Sequence, residues 1–171
     1  MAVGEIKLGF GLADILVGNV DIGAQGDAAE FSAEPVYLDV ESYENGLWDK
    51  YLEKWSVKLK VVLEEESYEK LQMALPTLET IDNAGTIKGL QDGGAHQLVR
   101  SKAKTVTIHP RGNGTDKSFD ITIHKAFPVG TFTRKYGKEV SKYEVEFMGF
   151  PKTGNSKDPG NYFLIGQGTG A

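Results

Sequence analysis

The 171-residue chain has no cysteine. That absence removes disulfides, thiol catalysis and every cysteine-ligated metal site. A basic excess is missing too: 24 acidic residues against 19 basic ones leave a formal net charge of −5, with a pI near 5.3. Proteins that grip nucleic acid through its phosphates present a basic surface, so this balance argues against that mode overall. No apolar run approaches the roughly 20 residues of a membrane helix. The opening stretch carries Glu5, Lys7 and Asp14 among its apolar residues, unlike a secretory signal. Histidine is scarce: His96, His109 and His124 have no H-x-x-x-H spacing. His109 and His124 are placed to approach each other across a hairpin, either as a metal pair or, more plainly, as two solvent-side strand residues. The expectation is one soluble domain kept in a reducing cytosol, or in a particle assembled there.

What is present is ordinary globular material, 40% hydrophobic and 25% charged, which rules out wholesale disorder. The 21 glycines and 6 prolines sit mostly between short alternating runs, the pattern of an all-β domain. The clearest strand is Trp55 to Leu63: Trp55, Val57, Leu59, Val61 and Leu63 share one face, Ser56, Lys58 and Lys60 the other. Further strands are read at Val36–Val40, Thr105–Ile108, Phe119–His124 and Tyr143–Phe147, with weaker ones near Glu5–Phe10 and Leu16–Ile22. One helix is predicted, capped by Ser67, with Tyr68, Leu71 and Leu75 at helical spacing and an end at Pro76. Residues 110–115 read as a hairpin turn, and residues 77–94 as a mobile loop with a minor strand around Thr86–Leu90.

Familiar catalytic and binding motifs do not assemble. Gly9-Phe10-Gly11 lacks the third glycine and following helix of a nucleotide loop, so it reads as a bend. There is no Walker loop, no calcium loop and no G-x-S-x-G elbow. Asn113-Gly114-Thr115 matches a glycosylation sequon but reads as a turn, and Glu64-Glu65-Glu66 as a solvated junction. Arg100, Lys102, Lys104 and Arg111 form a basic stripe, read as a charge-protected edge strand because no aromatic residue is interleaved.

Two segments instead suit contact with other chains. Residues 41–51 read as a long loop carrying Tyr43, Leu47, Trp48 and Tyr51, more aromatic surface than a loop leaves in water. The tail is rich in turn formers but carries Tyr162, Phe163, Leu164 and Ile165, which reads as an arm that latches onto something. Residues 1–150 are thus taken as one domain and 151–171 as a C-terminal arm, with 41–53, 77–95 and 150–171 mobile before assembly.

This order of elements resembles the bacteriophage tail tube proteins (major tail proteins). The resemblance is carried by Phe31-Ser32-Ala33-Glu34-Pro35-Val36-Tyr37-Leu38-Asp39-Val40, then an aromatic segment ending in Asp49-Lys50-Tyr51. The strand Trp55–Leu63 follows and runs through Glu64-Glu65-Glu66-Ser67 into the helix. It spans roughly residues 3–150. The resemblance implies a mainly β fold, a β-sandwich or partial barrel with one short flanking α-helix. It also implies a structural virion protein rather than an enzyme, with no cofactor. Its subunits form stacked hexameric rings, a hollow tube for genome ejection into the host. The implied partners are the chain itself, other tail proteins such as tape measure, terminator and baseplate or tip proteins, and viral DNA sliding through without specific binding. No membrane is involved. The implied location is the virion tail, with assembly in the host cytoplasm. The alternatives are a β-sandwich module binding carbohydrate or peptide on Tyr43, Trp48 and Tyr51, and an enzyme whose carboxylates meet only in the fold.

Overall fold

The structure, a computed structural model, describes residues 11–168. The strand expected near Glu5–Phe10, and most of the Gly9-Phe10-Gly11 bend, lie outside the described residues. Among the described residues there are ten strands: β1 (Ala13–Val17), β2 (Val20–Asp21), β3 (Glu30–Ser42), β4 (Gly46–Leu63), β5 (Glu79–Asn83), β6 (Thr86–Gln91), β7 (Lys104–Pro110), β8 (Ile121–Val129), β9 (Tyr143–Phe150) and β10 (Phe163–Ile165). The helix α1 spans Tyr68–Ala74.

Eight of the strands make one antiparallel sheet in the order β2-β1-β7-β8-β9-β4-β3, with β10 paired to β8. The sheet curls around a single core. Val57, Leu59, Val61 and Leu63 of β4 are fully buried, as are Ile15, Val106, Ile123 and Phe147 from β1, β7, β8 and β9. The segment between β2 and β3 ties the β2 edge to the end of β4, beyond the last residue that pairs with β3. There the Gly26 N–H donates to Val62 O (2.9 Å) and the Glu64 N–H to Ala24 O (3.4 Å). The architecture is therefore the partial barrel, not two separate stacked sheets. The expected Leu16–Ile22 strand is in fact a tight hairpin: the chain reverses at Gly18, φ +64°, a conformation open to glycine at little steric cost.

Helix α1 closes one open end of the core with Met73 and Ala74. The Ser67 hydroxyl accepts from the Lys70 N–H (3.1 Å), a cap of about 1 kcal/mol. Leu75, before Pro76, has left helical geometry at φ −134° and ψ 77°. In residues 77–94 the expected minor strand around Thr86–Leu90 is β6, and it pairs with β5 as a second sheet where a mobile loop was expected, turning at Ala84 (φ 50°) and Gly85 (φ 80°). The Tyr68 hydroxyl ties it to the helix by donating to Lys88 O (3.1 Å).

The outward face of β4 and β9 carries a charge ladder, Lys60 with Glu144 (3.0 Å) and Lys58 with Glu146 (3.4 Å). The hydrogen bond to Glu144 raises the Lys60 pKa. The basic stripe is not on an edge. β7 lies between β1 and β8, and Arg100–Lys102 form a 3-10 turn before it. Its charges are used locally: Arg111 pairs with Asp14 (2.5 Å), and Arg100 donates to Lys152 O (3.2 Å). The sheet order, set by long-range pairing, overrides the local charge pattern.

Candidate assembly surface

The aromatic segment read as a loop is the end of a long β-hairpin. β3 and β4 pair from Glu30↔Lys60 to Ser42↔Gly46, reversing through Tyr43, Glu44 and Asn45 into Gly46 at φ +67°. β9 pairs with β4 only over Lys58–Leu63, so the first half of β4 has β3 as its sole strand partner among the described residues. The nine residues from Gly46 to Lys54 extend about 30 Å at roughly 3.3 Å per residue, beyond the barrel wall.

Most of that extension stays open; its base, Leu52–Lys54, shares a cleft with residues 156–163. Tyr43 is fully exposed, and Leu47, Trp48 and Tyr51 are 54%, 72% and 60% exposed. Alternation places Leu38 with Tyr51 on one face, and Tyr37 with Leu52 on the other, so both faces are apolar. Register shifts between Val36/Tyr37 and Val40/Glu41 leave Glu53 and Trp48 as the extra, unpaired residues of two bulges. Tyr37, Leu38, Val40 and Leu52 thus belong to the surface. The missed signal was Asn45-Gly46 between two apolar runs, the strongest short-range mark of a hairpin.

The C-terminal tetrad sits elsewhere. Phe163–Ile165 pair with Ile121–Ile123 of β8, taking over the edge from β9, which leaves β8 at Lys125. The Phe163 ring meets Phe31 and Trp55 edge-on at 5.7 and 5.6 Å, at the base of the hairpin. Tyr162, Phe163 and Leu164 are half-buried, while Ile165 is exposed. The expected latch is therefore made within the chain: the aromatic edge contacts, and the Gly166 N–H donating to Asp120 O (2.7 Å), hold the tail on its own sheet.

The carbohydrate-platform reading needs rings set side by side. The ring contacts found involve Phe31, Trp55, Phe163, Phe127, Phe150, Phe132 and Tyr143; none joins Tyr43, Trp48 and Tyr51 among the described residues. No group of three or more His, Asp or Glu side chains could hold a metal among the described residues. His109 does not face His124. Its Nδ1 lies 2.5 Å from Asp120 and its Nε2 lies 2.8 Å from Gly114 O. Both partners are acceptors, so both ring nitrogens donate and the imidazolium is favoured. The Asp120 hydrogen bond accordingly raises the His109 pKa, whereas burial lowers that of His124.

No family model matches the chain. No curated protein matches it in sequence. Solved structures do match. One is a chain of the sheath–tube complex of an extracellular contractile injection system (PVC) in its extended state: 13% identity, TM-score 0.52, covering 86% of this chain and 88% of that one. Another is a chain of the sheath/tube terminator of that system: 13% identity, TM-score 0.52, covering 85% and 94%. The element order and partial barrel described above are thus the β-rich fold shared with those chains of the sheath–tube complex and the sheath/tube terminator.

Proposed function

We propose that this chain is a non-enzymatic structural subunit of a tail-type tube, self-assembling into stacked hexameric rings around a lumen. The observation that carries this reading is the β3–β4 hairpin: an extension with exposed apolar side chains on both faces, on a fold shared with tube and terminator chains. A monomer gains little from such an extension, because exposed aromatic surface becomes favourable only when another surface covers it. The open edges of β3 and of residues 46–57 of β4 offer backbone groups for joining sheets between neighbours. Partners of the tube are other tail components, among them tape measure, terminator and baseplate or tip proteins, and the DNA that passes through without being held. The net charge of −5 suits a conduit that neutralises few phosphates. The particle is a virion tail or a related injection tube, built in the host cytoplasm.

Electron microscopy of the concentrated, purified protein tests this. Rings or hollow tubes with six-fold end views are expected; a particle that remains monomeric at every concentration and salt sinks the reading.

A further inference from the structure

The hairpin needs a receiving surface, and the chain carries one of opposite character at its other end. The β8–β9 connection walls an open cleft of about 1000 Å³. The connection carries Arg134, Lys135, Lys138 and Lys142 against Glu139, and Glu144 of β9 also lines the cleft. Arg134 is taken up by Glu66 (2.7 Å) and Lys142 by Glu64 (3.1 Å), while the cleft's other acid, Glu144, is held by Lys60 (3.0 Å). Lys135 and Lys138 have no carboxylate partner among the described residues and Glu139 has no ion-pair partner there, so two unpaired lysines stand against one unpaired acid. Beside them Tyr136 is 85% exposed and Val140 71%. The cleft is thus basic, partly apolar and uncovered.

The hairpin is its complement. Between Val36 and Lys54 stand Asp39, Glu41, Glu44, Asp49 and Glu53 against Lys50 and Lys54. Lys50 neutralises Asp39 at 2.5 Å, while Glu41, Glu44 and Asp49 have no ion-pair partner among the described residues, towards the tip with Tyr43 and Trp48. The two surfaces lie at opposite ends of one strand. Gly46 of β4 is at the tip, and Leu63 pairs with Tyr143, the first residue after the cleft loop. Eighteen residues of strand separate them, about 60 Å, so a copy cannot place its own tip in its own cleft.

We infer that the acidic, aromatic tip of the β3–β4 hairpin of one copy docks in the basic β8–β9 cleft of the next copy. The inference deepens the tube reading and rests on it for the repeated geometry. The contact joins unlike surfaces: where each copy engages two different neighbours it is heterologous, closing into a ring or running on along a stack, with a free tip and a free cleft at the ends of any open string. It gives the assembly a direction along β4. Because its charges are solvent-exposed before docking, association weakens as salt is raised.

The missing cysteines make the test clean, since introduced thiols have no native competitor. Glu44→Cys and Lys138→Cys proteins are mixed and treated with a short bis-maleimide. A mixed cross-linked dimer is expected, several-fold above the yield when Thr115→Cys replaces Lys138→Cys, and falling as salt rises from about 0.05 to about 0.5 M. In parallel, Lys135→Glu with Lys138→Glu should slow assembly about tenfold or more, a loss of ~1.4 kcal/mol per contact. Mixing that protein with Glu41→Lys plus Glu44→Lys protein should restore it. Tubes from the unaltered chain with a cross-link no better than control, or with unimpaired assembly of the double lysine variant, overturn the tip-to-cleft contact and leave the tube reading standing. If the unaltered chain forms no tubes, that reading falls, and the cross-link yield alone then decides whether tip and cleft meet.

Discussion

The two halves of β4 are built from similar residues and meet opposite fates. In Val57–Leu63 every second side chain, Val57, Leu59, Val61 and Leu63, is fully buried between β3 and β9. In Gly46–Lys54 the apolar residues Leu47, Trp48, Tyr51 and Leu52 stay 43% to 72% exposed. Hydrophobicity is therefore not the difference; the presence of a second layer is. Burying a large apolar side chain stabilises a fold by about 1.5–3 kcal/mol, and only the second half of the strand collects that within the monomer. The first half leaves the same potential unused in the monomer.

The comparison breaks most easily at Leu59. Leu59→Ala should cost about 2–5 kcal/mol in urea unfolding, because the cavity opens in the middle of the sheet. Leu52→Ala, seven positions earlier, should stay within about 0.5 kcal/mol. Equal losses at the two sites would erase the distinction between the halves.

A smaller effect sharpens the boundary between body and extension. Phe163 is half-buried and touches Phe31 and Trp55 where the hairpin leaves the barrel. Phe163→Ala should cost about 2 kcal/mol, below the 3–5 kcal/mol of a fully buried ring. A loss near zero would return the C-terminal segment to the status of a free arm.

The smallest effect belongs to His109, which clamps the β7–β8 turn through Asp120 and Gly114, with Asp14 and its partner Arg111 nearby. Its folded pKa is raised. Its stabilisation is thus complete below the unfolded value of about 6.5 and is lost as pH rises through the folded value. His124 is shifted the other way and weakens the fold as pH falls through and below about 6.5. The His109 signature is therefore the decline of Tm above that pH. His109→Gln should flatten this decline; an unchanged slope would remove the clamp from the account.

How much of this was legible follows from what kind of signal each element carries. The strand Val57–Leu63 and helix α1 announce themselves locally, through strict alternation in one and a serine cap with a terminal proline in the other. The outer hairpin does not. Its two faces are both apolar, so alternation produces no polar contrast, and the bulges at Glu53 and Trp48 shift the phase twice. The four exposed apolar residues towards its end, Tyr43, Leu47, Trp48 and Tyr51, were still visible, because three aromatics in eleven residues need no periodicity to be noticed. Phe163–Ile165 is too short to show a period, and its choice of β8 as partner depends on chain more than 35 residues away, as the register with Ile121–Ile123 requires. The β8–β9 cleft was not legible at all. Its character depends on which lysines find carboxylates, and Glu64 and Glu66 reach it only through the fold.

The central claim is that the hairpin's exposed aromatics serve assembly and not folding, and Trp48 tests it most directly. Electron microscopy and urea unfolding should be run side by side on the unaltered chain and on Trp48→Ala. The account predicts rings or tubes for the first and folded, unassembled protein for the second, with unfolding midpoints that agree to within about 0.5 kcal/mol. Tubes formed equally well by Trp48→Ala, or a Trp48→Ala chain that fails to assemble only because it has unfolded, would contradict it.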